Sequence, residues 1–233
     1  MNEKLSRVFF YLFTVGTVLL LISLGNRTVT VLSEQAINAQ RTRIVIDPGH
    51  GGVDGGAVSC TGKPESAYNL EISLRLNDLL RLLGYQTCMI RTQDISVYTK
   101  GETIAQKKVS DLKERVRIAN ESENTLLLSI HQNTFPDSRY SGAQVFYPAT
   151  EGSRELAEAL QQEFLQALNP GSHRQAKKSS GVYLLEHIRC PGILIECGFL
   201  SNPEEANLLK TPEYQQKLSC VIASSVSRYL SNT

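Results

Sequence analysis

Hydrophobic and polar positions follow two different spacings along this chain, and each spacing predicts one kind of secondary structure. Short apolar runs rich in β-branched residues predict buried strands, because strands covered on both faces read as near-continuous hydrophobic segments. Apolar residues three or four positions apart predict amphipathic helices. Together these patterns predict strands at residues 43–47, 85–90, 126–130, 143–147, 182–184 and 193–195, and helices at 66–83, 112–122, 153–168, 204–209 and 212–230.

Strands and helices alternate from residue 43 onwards. This order is typical of an α/β fold, in which the connecting helices cover both faces of a mostly parallel sheet. We therefore predict a three-layer α/β domain over residues 41–233, and we expect neither internal repeats nor a second folded domain.

Residues 1–40 have the pattern of an export segment. Lys4 and Arg7 precede an apolar run at residues 8–24, which is somewhat long for the core of a signal peptide and somewhat short for a membrane-spanning helix. A cleaved signal peptide and an uncleaved membrane anchor, each followed by a polar linker, are therefore both open. A buried N-terminal helix is the third alternative. Either of the first two places the domain outside the cytoplasm.

The charge balance excludes one large class of partners. The chain has a net charge of +1, and residues 1–40 contribute three basic and two acidic side chains, which leaves the predicted domain neutral. A neutral domain offers no electrostatic attraction to a polyanion, so we expect no nucleic-acid partner.

Four polar residues lie at or just after the predicted strands, or before the first long helix. His50 and His131 follow the strands at 43–47 and 126–130, Glu196 follows the strand at 193–195, and Glu65 precedes the helix at 66–83. Function in open α/β sheets concentrates beyond the carboxyl ends of the strands. We therefore expect these four side chains to converge.

Two imidazoles and one carboxylate form the ligand set of hydrolytic zinc sites, whose fourth position stays open for water or substrate. A second carboxylate that does not bind the metal is then needed to move protons. The pattern therefore predicts a Zn²⁺ site made by His50, Glu65 and His131, with Glu196 as the catalytic base for amide hydrolysis.

Each of these signals is weak by itself. A histidine after a strand is more often a satisfied loop or core residue, and Glu65 in a polar loop would usually be a solvated charge. Glu196 is more informative, because it interrupts the apolar run 193–200, where a carboxylate resists burial without a partner.

The loop after the first strand is rich in glycine and carries two more carboxylates. Because no Lys-Ser/Thr pair follows its glycines, the loop is not a nucleotide-binding loop; it more simply allows tight turns and a close approach of backbone to substrate. We expect Asp47 to orient the backbone or the His50 ring rather than to bind metal.

These motifs, taken in order, resemble a known family. DPGHGG at 47–52, Glu65, SIHQN at 129–133 and ECGFLSN at 196–202 are similar to the zinc-dependent N-acetylmuramoyl-L-alanine amidases of the amidase-3 type. The similarity runs from about residue 43 to 231. Arg91 and Arg115 match further landmarks of structural role.

The resemblance implies a mostly parallel mixed sheet of about six strands flanked by helices. It implies Zn²⁺ held by His50, Glu65 and His131, catalysis by Glu196, and a substrate-binding role for Asn133. The implied reaction cleaves the amide between N-acetylmuramic acid and the L-alanine of the peptidoglycan stem peptide.

Softer motifs at 141–147, 182–187 and 201–206 resemble the germination-specific amidases of spore-forming bacteria. That resemblance implies action on spore cortex before muramic lactam forms. The implied location is the cell wall or the outer face of the membrane, for example the forespore intermembrane space. The implied partner is peptidoglycan, with membrane contact through residues 1–40 if they are uncleaved; a regulatory protein partner stays open.

Three alternatives remain at this point. The chain could be an amidase of the vegetative wall, a related zinc peptidase that cuts within the stem peptide, or a wall-binding protein without catalytic activity. The last is disfavoured because all four chemical groups are present.

Overall fold

The computed structural model describes Phe13, Gly16, Thr17, residues 20–24 and residues 42–232 of the 233-residue chain. The predicted export segment and its linker therefore lie largely outside the described residues. Within the described residues, no helix combines the length and the apolar character that crossing a membrane requires.

A mixed sheet of six strands forms the middle layer, in the order β2-β1-β3-β6-β4-β5. β1, β2, β3 and β6 are parallel, β4 is antiparallel to β6, and β5 is parallel to β4. The strands are β1 (Arg43–Pro48), β2 (Gln86–Met89), β3 (Thr125–Asn133), β4 (Gln144–Tyr147), β5 (Lys177–Lys178) and β6 (Gly192–Phe199).

Within residues 42–232, six helices pack around this sheet. They are α1 (Glu65–Leu82), α2 (Ile104–Ala119), α3 (Ser153–Ala167), α4 (Tyr183–His187), α5 (Pro203–Leu209) and α6 (Pro212–Asn232). α1, α3 and α6 bury one face of the sheet in the larger hydrophobic cluster, and α2 and α4 cover part of the other face in a smaller cluster. The predicted three-layer α/β fold is confirmed.

β3 shows why the core lies where it does. Leu126 and Leu128 belong to the larger cluster, whereas Leu127, between them, belongs to the smaller one. Successive side chains of a strand point to opposite faces, so a strand covered on both sides needs an unbroken apolar run.

The structure corrects three of the predicted elements. Residues 182–184 are not a strand, because Tyr183 begins the short helix α4. The two-residue strand β5 is absent from the prediction. α2 begins at Ile104 rather than 112, since Thr103 and Gln106 form a capping box ahead of the apolar stretch.

Candidate metal centre

His131 and Glu196 lie directly beside each other on neighbouring parallel strands. The register of β3 and β6 pairs His131 with Glu196. Both residues therefore lie within their strands. The sequence pattern had predicted that they directly follow the strands. Their side chains share the sheet face that α2 and α4 cover only in part.

His50, Glu65 and His131 form a compact group of donor atoms. Nε2 of His50 lies 3.3 Å from Oε2 of Glu65, and Nδ1 of His131 lies 3.0 Å from Oε1 of the same carboxylate. One donor atom from each residue lies within 4.8 Å of the others. The two imidazole rings meet edge to face with centroids 5.0 Å apart. This spacing and this mixture of donors fit a single metal ion.

The Glu65 carboxylate is held by hydrogen bonds from three segments of the chain. Glu65 is the first residue of α1 and is 4% exposed. Oε2 accepts from the backbone N–H of Ala57 at 3.0 Å, and Oε1 accepts from the backbone N–H of Gln132 at 3.1 Å. Burial acts to raise the pKa of Glu65, but the hydrogen bonds and charges of His131 and His50 outweigh it, so the pKa falls well below its usual range. This carboxylate is therefore suited to binding a cation.

Asn69 forms hydrogen bonds with the three segments that carry His50, Glu65 and His131. It lies one helical turn after Glu65 on α1 and is fully buried. Its amide donates to Oε1 of Glu65 at 3.2 Å and to the carbonyl of Gly49 at 3.1 Å. Its own carbonyl accepts from Nε2 of Gln132, the residue after His131, at 3.2 Å. One side chain thus sets the relative positions of the loop before His50, the start of α1 and the end of β3.

The backbone at His50 adopts a left-handed conformation with φ of 60°, which is uncommon for a residue with a side chain. The carbonyl of His50 accepts from Nη2 of Arg115 at 2.7 Å, and its Nδ1 lies 2.9 Å from Oδ2 of Asp54. The contact with Asp54 leaves Nε2 free to face Glu65. A carboxylate on the outer ring nitrogen is the usual way in which proteins orient a metal-binding histidine.

Asp54, and not Asp47, therefore contacts the His50 ring, so the predicted alternative that Asp47 orients this ring is wrong. Asp47 accepts from the Ser129 hydroxyl at 2.7 Å and from Arg115. Arg115 in turn donates to the carbonyls of Pro48 and His50, so Asp47 orients the backbone of the loop indirectly.

A second buried guanidinium completes the support of this loop. Arg91 donates to the carbonyls of Pro48 at 2.9 Å, Gly49 at 3.0 Å and Ser66 at 2.8 Å. Buried carbonyls need such donors. No residue with a side chain fits at Gly49, because a Cβ at this position would overlap the ring of His131.

Glu196 differs from Glu65 in lacking a partner for one of its oxygens. Its Oε2 is buried and has no hydrogen-bonding partner among the described residues. Burial raises the pKa of Glu196 to about 7, with the charge of His131 acting against the rise and that of Glu65 adding to it. A carboxyl group with this pKa can take up and release a proton near neutral pH.

The candidate centre opens into a cavity of about 390 Å³ between the sheet, α2 and α4. His50, His131 and Glu196 all line it, which brings the predicted base and two predicted ligands to one space. Asn133, the predicted substrate-binding residue, lies further along β3 beyond an irregularity in the strand and is not among the lining residues. The complete lining is Asp47, Gly49, His50, Asp54, Lys108, Asp111, Leu112, Arg115, His131, Gly181, Val182, Tyr183, Leu184, Leu194 and Glu196.

A comparison with known proteins identifies the family. The family model of the amidase-3 type, described as N-acetylmuramoyl-L-alanine amidase, matches residues 44–228. The chain belongs to this amidase family. The predicted enzyme class, an amidase, is thereby confirmed, and the match covers every residue of the candidate centre.

Individual relatives agree with this assignment. The germination-specific N-acetylmuramoyl-L-alanine amidase of Bacillus subtilis is 41% identical over 189 residues, which are 80% of this chain and 78% of that protein. The solved structure of the CwlD amidase from Clostridioides difficile, in complex with the GerS lipoprotein, matches with a TM-score of 0.79 and 36% identity over 83% of this chain and 100% of that one. An N-acetylmuramoyl-L-alanine amidase from Clostridium difficile 630 matches with a TM-score of 0.71 and 32% identity, over 82% of this chain and 97% of that one. The predicted resemblance to germination-specific amidases is confirmed.

Proposed function

We propose that this amidase is zinc-dependent and hydrolyses the amide between N-acetylmuramic acid and the L-alanine of the peptidoglycan stem peptide. The observation that carries the proposal is a metal-fitting group, His50, Glu65 and His131, next to a half-buried carboxyl group, Glu196, whose pKa is about 7. Two imidazoles and one carboxylate match the protein ligands of hydrolytic zinc sites.

The division of labour follows from the environments of the two carboxyl groups. Zinc, when bound, supplies a Lewis acid that polarises the scissile carbonyl and activates a water molecule. Glu196 takes the proton of the attacking water and delivers it to the departing amine of L-alanine. Asp54 and Asn69 hold the ligands His50 and Glu65 in position through the hydrogen bonds described above.

The proposed biological setting is the spore cortex. Its support is the 41% identity to a germination-specific amidase across most of that protein. A strain without this protein should then form cortex that lacks muramic lactam, while its vegetative wall stays unchanged. Normal muramic lactam in such a strain would favour a role in the vegetative wall.

A protein partner belongs to the same proposal. The Clostridioides difficile relative was solved in complex with the GerS lipoprotein. We infer that this chain also binds a protein partner, and affinity purification from sporulating cells against vegetative cells tests this. The proposed location, at the cell wall or the outer face of the membrane, for example the forespore intermembrane space, follows from the substrate.

Digestion of purified peptidoglycan tests the reaction directly. Incubation with zinc should release new L-alanine amino termini and leave muramic acid without peptide, and chelation of the metal should stop the release. New termini within the stem peptide, with the muramyl link intact, would instead identify a peptidase.

A further inference from the structure

A second and larger cavity lies next to the candidate metal centre, and its lining is mainly basic and polar. Its volume is about 770 Å³. The lining comes from the loop before β4, from β4 and from the segment that leads into β5. The lining residues are Asp137, Arg139, Tyr140, Ser141, Gln144, Ser172, His173, Arg174, Gln175 and Lys177.

The formal charge of this cavity is positive. Arg139, Arg174 and Lys177 contribute three cations, and Asp137 is the one acidic residue in the lining. Asp137 already pairs with Arg139 at 2.7 Å. Arg174 and Lys177 therefore provide the positive charge that the lining itself does not neutralise.

Arg174 is held in one orientation. Its Nε donates to the carbonyl of Ser141 at 2.8 Å, and its Nη1 donates to Oε1 of Gln144 at 3.3 Å. Its guanidinium lies over the ring of Phe199, 4.8 Å from the centroid. A guanidinium has five N–H donors, so these bonds leave three that can meet a ligand. A positioned guanidinium matches the geometry of a carboxylate.

The cavity begins one strand away from the candidate base. The register of β4 and β6 places Gln144 directly opposite Glu196. Directly opposed side chains lie on the same face of a sheet, with Cβ atoms about 5 Å apart. Gln144 lines the cavity that Arg174 lines, and its strand neighbour Glu196 lines the cavity of the candidate metal centre.

We propose that this basic cavity binds a carboxylate of the stem peptide and thereby positions the muramyl–alanine amide at the metal centre. The proposal rests on the proposed function. It assigns the cavity to the peptide side of the substrate, because the lactyl carboxyl of the muramic acid is consumed in the scissile amide, whereas the stem peptide carries free carboxylates beyond its first residue.

Two synthetic substrates separate this role from a structural one. Both are N-acetylmuramoyl tripeptides, and they differ only in whether the carboxyl groups of the peptide are free or converted to carboxamides. We expect wild-type kcat/KM to be higher for the free acid. Arg174→Met should lower kcat/KM for the free acid about tenfold, because it removes a charged hydrogen bond, and should lower it clearly less for the carboxamide substrate.

Matched variants keep the test decisive. Lys177→Met should reduce the preference for the free acid in the same direction, whereas Lys178→Met should not, since Lys178 lines a different cavity. Arg174→Lys keeps the charge and should keep part of the preference for the free acid. This variant replaces Arg174→Met in the test if the methionine perturbs folding. Equal losses on both substrates for Arg174→Met and Lys177→Met, or the same loss for Lys178→Met, would overturn the proposal.

Failure of the proposed function would be recognised separately. A wild-type protein that hydrolyses neither substrate contradicts the amidase proposal. Calorimetric binding of the free acid tripeptide then tests the cavity alone: binding that Arg174→Met weakens about tenfold supports it, and binding that the variant leaves unchanged overturns it.

Discussion

Two carboxyl groups whose pKa values are both lowered by the charges of His50 and His131 nevertheless have opposite net shifts. Burial raises the pKa of Glu196 to about 7, whereas the contacts with His131 and His50 overcome burial and lower the pKa of Glu65. Glu65 stays an anion and suits a metal ion, while Glu196 can exchange a proton near neutral pH. Environments that separate the pKa values of two acids in one site are a general way of giving them different roles.

Replacing Glu196 by glutamine tests its assignment as the base. Glutamine keeps the shape but cannot accept a proton, so we expect kcat to fall on the order of a hundredfold or more. Zinc affinity should stay near that of the wild type, because Glu196 is not one of the three ligands. The exposed Glu158→Gln on α3 is the control. Near wild-type turnover by Glu196→Gln would move the base to another residue.

Replacing Asn69 by alanine tests whether its hydrogen bonds position the ligand Glu65. We expect the zinc dissociation constant to rise on the order of tenfold to a hundredfold, as for other residues that orient metal ligands. Competition with a coloured chelator measures the constant without any substrate. Asn69→Asp keeps the shape but loses the donor to Oε1, so it should act in the same direction.

The control for Asn69 is Asn77→Ala, two turns further along the same helix, where the side chain contacts Thr87 instead. It should leave zinc affinity unchanged. If Asn69→Ala leaves the zinc affinity unchanged, Glu65 is positioned by its backbone donors alone.

At the scale of elements, the sequence predicted the strands and helices whose hydrophobic pattern is long or whose two faces are both buried. β3 and α1 have such patterns. The run Val182-Tyr183-Leu184 is too short to separate a strand from a helical turn, and only the fold shows that Leu184 and Leu185 both reach the smaller core cluster. β5 consists of two exposed lysines and has no hydrophobic signal at all.

The sequence likewise predicted part of the candidate site. Its three predicted ligands and Glu196 stand out because histidine and glutamate are unusual beside apolar strands, and they occur in the order of the family motifs. The contacts of Asp54 depend on how a loop folds, so the sequence could not give them. Asn69 did carry a signal, because a spacing of four residues places it on the same helix face as Glu65.

Asp47 connects three elements, and its loss should destabilise them together. It lies on β1, bonds Ser129 on β3 and pairs with Arg115 on α2. Burial acts to raise the pKa of Asp47, but the charges of Arg115 and His131 and the hydrogen bonds from Ser129 and Arg115 together outweigh it, so the pKa is lowered. Asp47→Asn removes one of the two carboxylates that pair with the buried Arg115, which keeps Asp111 at 2.6 Å, so we expect unfolding to become easier by about 1.5–3 kcal/mol at pH 7.

The sign of the pH dependence follows from that lowered pKa. A carboxyl group with a folded-state pKa below its unfolded value stabilises the protein above the unfolded pKa, about 3.9 for aspartate, and loses this contribution as the pH falls through the folded value. The difference between wild type and Asp47→Asn should therefore shrink below about pH 4. Urea unfolding at several pH values measures it, with the exposed Asp78→Asn as the control. If the difference in unfolding free energy between wild type and Asp47→Asn does not change with pH, the pairing of Asp47 with Arg115 is contradicted.

At the scale of the molecule, the candidate metal centre links distant parts of the chain. His50 follows β1, Glu65 begins α1 and His131 lies in β3, so the three predicted ligands meet only when the sheet and its larger helical layer have formed. The cavity that His50, His131 and Glu196 line lies between the sheet and the thinner layer of α2 and α4. Binding of metal and stability of the fold should therefore be coupled.

That coupling can be measured by thermal unfolding with and without metal. Zinc at a hundred times its dissociation constant should stabilise the folded chain by about 2.7 kcal/mol, because it binds the native donor set and the unfolded chain has no such arrangement. For a domain of this size the corresponding rise in Tm is on the order of 5–10 °C. A chelator should reverse the shift, and His131→Ala should abolish it, whereas His173→Ala should not, since His173 lies in the other cavity. An identical Tm for the zinc-loaded and chelated wild type would mean that the folded site does not hold the ion, because binding that depends on the assembled fold cannot leave its stability unchanged.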